Sequence, residues 1–84
     1  MKINWQNHSN LTHKEVEELT AIEYNLRKKI VSILIAEAKE EYSGDFSGYE
    51  FDFDVETKQI EISNKTPEPM YSEFKAILKK RGNL

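Results

Sequence analysis

GYEFDFDVETKQIEIS, residues 48–63, decides how this chain folds. Over residues 49–56 apolar and acidic side chains alternate: Tyr49, Phe51, Phe53 and Val55 against Glu50, Asp52, Asp54 and Glu56. A period of two marks a strand with one face buried and the other in water. Residues 60–63 alternate in the same way, and Glu56-Thr57-Lys58-Gln59 joins the two runs as a four-residue loop, so the stretch predicts an antiparallel β-hairpin. Pairing Val55 with Ile60 sets Phe53 opposite Ile62 on the inner side and Asp54 opposite Glu61 on the outer side.

Two strands alone are marginal in water, so the hairpin needs cover. The segment before it supplies a long helix. Thr12 as N-cap, Glu15 three residues on, and Leu11 with Val16 around them form a capping box and hydrophobic staple. No Gly or Pro then interrupts residues 13–42, and Ser43-Gly44 is the expected stop. Val16, Leu19, Ile22, Leu26, Ile30 and Ile33 recur at helical steps and predict one buried stripe. Tyr24, Val31, Ile35, Ala38 and Tyr42 make a second. A helix apolar on two sides needs two covers. Either the hairpin and the last helix supply them, or a second copy of the chain does.

The last helix is expected from Thr66 as N-cap and Pro67 as first helical residue, with Met70, Tyr71, Phe74, Ile77 and Leu78 facing inward. Lys79, Lys80 and Arg81 fall at its C-terminal end, where cations favour the helix dipole, and Gly82 stops it. At the other end of the chain, residues 2–5 (KINW) can add a third strand with Ile3 and Trp5 inward. The prediction is a single α+β domain over residues 1–84: a long N-terminal helix packed on a small antiparallel hairpin, of three strands if residues 2–5 join, and a C-terminal helix.

Eighty-four residues bury a thin core, with little room for a deep substrate cavity. Cysteine is absent, which removes disulfides and thiolate chemistry. The first ten residues lack a hydrophobic run and the longest apolar stretch is too short for a bilayer, so the expectation is a cytoplasmic protein with no signal peptide and no membrane span. The net charge of −3 is unevenly spread. Residues 40–63 hold eight acids and one base, Lys58, a net −7, whereas residues 64–84 carry +3. The acidic middle works against a nucleic-acid duplex. Arg27-Lys28-Lys29 and the cations of the last helix are the only basic clusters, so a nucleic-acid-associated regulator ranks low among the alternatives.

The motifs for catalysis and metal binding are missing. Asp52-x-Asp54 offers two oxygen ligands without the remaining positions of a calcium loop, His8 and His13 have no ligand spacing, and no glycine-rich phosphate loop exists. The expectation is no enzyme, no cofactor and no metal. What remains is the acidic row, which reads either as a solvated sheet face or as a negative surface that docks a basic partner.

In size and charge the chain is similar to immunity proteins that neutralise a basic toxin, to antitoxins and to phage-coded inhibitors, without sharing a motif with them. That likeness implies a non-enzymatic protein–protein interaction module of inhibitor type. Its expected partner-binding residues are Glu50, Asp52, Asp54, Glu56 and Glu61, with Tyr49 at the edge. The alternative is a homodimeric assembly subunit joined through the first helix.

Overall fold

The alternating stretch forms the middle of a sheet. In a computed structural model of the chain, which describes residues 1–37 and 46–82, the elements run β1 (Lys2–Gln6), α1 (His13–Glu37), β2 (Glu50–Asp54), β3 (Gln59–Ile62) and α2 (Met70–Arg81). This is the expected α+β arrangement. The start of the chain does form the third strand. It lies beside β2 and parallel to it, so the sheet is mixed, in the order β1-β2-β3.

Parallel neighbours need a crossover connection, and α1 provides it. Its 25 residues span about 37 Å, against about 17 Å for a five-residue strand. The helix runs along the molecule's longest dimension, 41 Å, and overhangs the sheet. The expected continuation to residue 42, the Gly44 stop, and Ala38 and Tyr42 of the second stripe lie outside the described residues.

The capping box forms as the sequence predicts. Thr12 N–H donates to Glu15 Oε1 and Glu15 N–H donates to Thr12 Oγ1, both at 3.1 Å. These bonds to Thr12, backbone first, hold the Glu15 carboxyl below its ordinary pKa. Val16 is 39% exposed, while Leu11 packs against the core. Of the first stripe, Leu19, Ile30 and Ile33 are buried and Ile22 and Leu26 half-buried. In the second stripe Tyr24 (60% exposed) and Ile35 (70% exposed) stay largely uncovered among the described residues.

One face of the sheet and both helices close on an aromatic core. Phe51, Phe53, Phe74 and Ile30 are fully buried, and Tyr49 and Leu34 nearly so. Phe74 meets Phe51 edge-on at 5.2 Å and Tyr49 at 6.1 Å between ring centroids. Trp5 of β1 meets Phe53 edge-on at 5.8 Å. Each such ring contributes about 1.5–3 kcal/mol by burial, so the handful of aromatics carries much of the fold.

Two local expectations are corrected. The hairpin register is shifted by two residues: Phe53 pairs with Ile60, Phe51 with Ile62, Asp52 with Glu61, and Asp54 with Gln59. The cause is the Asp54 side chain. Its Oδ1 accepts the N–H groups of Glu56 (2.9 Å) and Thr57 (3.2 Å), and Lys58 N–H donates to Asp54 O (2.7 Å) with Lys58 in the left-handed region at φ 58°. The turn therefore begins at Asp54, and residues 55–58 form a four-residue loop whose last residue, Lys58, is left-handed.

The second correction concerns α2, which starts at Met70 rather than Pro67, with Pro69 in the N-cap position after a cis Glu68–Pro69 bond. Thr66 does not cap it. Its buried hydroxyl accepts Glu50 N–H (3.0 Å) and donates to Glu50 O (2.9 Å), latching the turn after β3 to the start of β2. The other end of α2 is as expected, with Gly82 at φ 95°.

Candidate functional site

Strand alternation that sends Phe51 and Phe53 into the core sends Glu50, Asp52 and Asp54 to the opposite face of the central strand. Both helices contribute their core residues to the aromatic side, so among the described residues no helix covers the acidic side, where Glu50, Asp52 and Asp54 are half-buried. Asp52 stands directly opposite Glu61 of β3, an arrangement that costs up to about 1 kcal/mol by like-charge repulsion.

β1 answers the acids with amides. Its outward residues are Lys2, Asn4 and Gln6, which sit beside Glu50, Asp52 and Asp54 in the parallel register, and Lys2 makes no ion pair with Glu50 among the described residues. Asn4 Nδ2 donates to Glu50 Oε2 at 2.8 Å and reaches Asp52 Oδ1 at 3.5 Å. Gln6 Nε2 reaches the same Asp52 oxygen at 3.5 Å, and Asn7 Nδ2 donates to Asp54 Oδ2 at 3.0 Å. An amide donor is neutral, so it orients a carboxylate without cancelling its charge. At Asp54 the Thr57 N–H is the main influence, and with Asn7 and the Glu56 N–H it outweighs partial desolvation and lowers the carboxyl pKa.

The cations do not pair with this row. Among the described residues no lysine or arginine lies within ion-pairing distance of Glu50, Asp52, Asp54, Glu56 or Glu61. The basic end of α2 turns to α1 instead: Arg81 Nη1 is 3.1 Å from Glu37 Oε1, and Lys80 Nζ is 3.6 Å from Glu37 Oε2.

The arrangement forms a shallow depression of about 390 Å³, lined by Gln6, Asn7, Asp52, Asp54, Thr57, Gln59 and Glu61. It presents oriented, charged acceptors to solvent, the complement of a planar guanidinium or an ammonium group. Among the described residues no three of His, Cys, Asp and Glu come together as a metal cluster. No helix among them is long and apolar enough to cross a membrane.

The structure gathers Glu50, Asp52, Asp54 and Glu61 on one face. It places Glu56 just beyond them, exposed in the turn, because β2 ends at Asp54. Tyr49 does not belong to the face. It is 1% exposed, stacked on Phe51 at 6.3 Å, and burial followed by the nearby charge of Glu73 raises its phenol pKa. Sequence reasoning missed Asn4, Gln6 and Asn7. Their signal was the polar phase of KINWQ, which alternates like the hairpin. Compared with known proteins, the chain matches no family model, no curated protein and no solved structure.

Proposed function

We propose that the chain is a non-enzymatic interaction module that docks a basic protein partner through the outer face of its sheet, with Glu50, Asp52, Asp54 and Glu61 as the contact residues and Glu56 at the rim. The observation that carries this reading is a row of carboxylates oriented by neutral amides, without an ion-paired cation among the described residues. A purely structural sheet face has no reason to keep Asp52 opposite Glu61, since a lysine at either position would convert repulsion into attraction. Such a face steers a basic partner into place and sets register more than it adds raw affinity. Inhibitor, immunity or antitoxin action, blocking a basic active surface, is the finer form of the proposal.

The test is parallel affinity capture with the wild-type chain and with Asp52→Lys/Glu61→Lys, at low and at high salt. The proposal predicts a basic protein retained by the wild type, released by salt, and lost in the variant. Identical proteins retained by both chains, irrespective of salt, would remove this face from consideration. Exposed Tyr24 and Ile35 on α1 favour a second reading, a homodimer through the overhanging helix. A strict monomer in sedimentation at high concentration would dispose of it.

A further inference from the structure

Among the described residues β3 is an edge strand, since its one neighbour in the sheet is β2. A groove of about 790 Å³ runs beside it, and residues 58–62 all line that groove. Successive side chains of a strand point to opposite faces. A groove touched by every residue in turn follows the strand's edge, where the backbone is exposed, rather than either face.

The ladder fixes which backbone groups are on offer. Ser63 N–H donates to Glu50 O at 2.8 Å, and hydrogen-bonded and non-hydrogen-bonded pairs alternate along an antiparallel ladder. By that alternation the N–H and C=O groups of Glu61 and Gln59 turn toward β2. Those of Ile60 and Ile62 turn toward the groove.

The walls say what fits. Leu26 of α1 and Leu78 of α2 supply an apolar side, and Lys58, Lys75 and Lys79 stand around it with one acid, Glu61. Among the described residues none of these lysines makes an ion pair; Lys75 lies over the Tyr71 ring at 5.8 Å. A second copy of the chain would bring its own lysines against these, so like charges oppose edge-to-edge pairing of two β3 strands.

We propose that the β3 edge is a second docking site, which takes an extended acidic peptide segment as a fourth strand. Its backbone pairs with Ile60 and Ile62, its acidic side chains meet Lys58, Lys75 and Lys79, and an apolar side chain rests against Leu26 and Leu78. Main-chain pairing gives such strand addition its affinity and the pockets beside it give specificity. The site borders the acidic face, with Gln59 and Glu61 common to both, and its lysines make it opposite in sign.

The experiment is a titration of the isotope-labelled full chain, followed by amide NMR, with an end-capped hexapeptide of alternating glutamate and valine. The proposal predicts shifts and slowed solvent exchange at the Ile60 and Ile62 amides. Full N-methylation of the peptide abolishes both, and a lysine–valine peptide binds at least about tenfold more weakly. Lys75→Glu/Lys79→Glu, two changes at exposed positions, reverses the preference between the two peptides. Undisturbed Ile60 and Ile62 amides, equal binding of the N-methylated or the lysine–valine peptide, or shifts that track self-association of the chain on dilution would each overturn it.

Discussion

Phe51 and Asp52 are neighbours in sequence, yet Phe51 is sealed under Phe74 and Tyr49 while Asp52 faces Glu61 on the open side of the sheet. The inner face of β2 is held by burial, which does not depend on the screening of charge. The outer face is held by the same backbone ladder in spite of its side chains. Repulsion there is tolerated because the aromatic side supplies the stability. The difference teaches that, Asp54 at the turn apart, the fold rests on the inner rings rather than on the acids, whose charge no ion pair among the described residues cancels.

The largest effect should come from the inner face. Phe51→Ala should cost about 3–5 kcal/mol in urea unfolding, enough to unfold much of a domain this small. If an inner ring could be removed for less than the effect of an outer acid, the contrast between the faces would fail. The latch between them comes next. Thr66→Val keeps the shape of the side chain but removes both hydroxyl bonds to the Glu50 backbone. It should cost about 1–3 kcal/mol, measured by the same unfolding curves. A smaller effect is expected at the turn, where Lys58 holds a left-handed conformation that glycine adopts freely. Lys58→Gly should stabilise by about 0.5–1 kcal/mol.

The smallest effect is in pH dependence. The folded pKa of Asp54 is depressed, so its contribution is present above the unfolded value of about 3.9 and is lost as pH falls through the lower folded value. Asp54→Asn should therefore show a smaller fall in Tm than the wild type on acidification below about pH 4. Glu15, lowered by its Thr12 bonds, should act in the same direction in the first turn of α1. An acid-induced fall in Tm unchanged by Asp54→Asn would place the sensitive carboxyls elsewhere.

Periodicity made the elements readable, and side-chain chemistry with two possible uses made their edges unreadable. Alternation in residues 49–55 and 60–63 gave strands with the right faces, and the Thr12–Glu15 pair marked the start of α1 to the residue. The direction of β1 was not in KINW itself. It follows from α1, whose length carries the chain back to the same end of the sheet. The turn was misread because its left-handed position is filled by Lys58, where a glycine would have announced it. Thr66 was misread because a hydroxyl four residues before a helix looks the same whether it caps that helix or latches a strand. Within the acidic row, the acids were legible and their amide partners were not, since pairing Asn4 with Glu50 needs two segments 46 residues apart.

The most direct test of an outer face left unneutralised by its own fold needs no partner. It is the urea-unfolding stability of Asp52→Lys and the wild type at low and at high salt. The account predicts that the lysine, set opposite Glu61, raises stability by up to about 1 kcal/mol at low salt. It also predicts that salt narrows the gap by strengthening the wild type. A variant less stable than the wild type at low salt, or a wild type weakened by added salt, would mean that the acids are already balanced within the fold and would contradict the account.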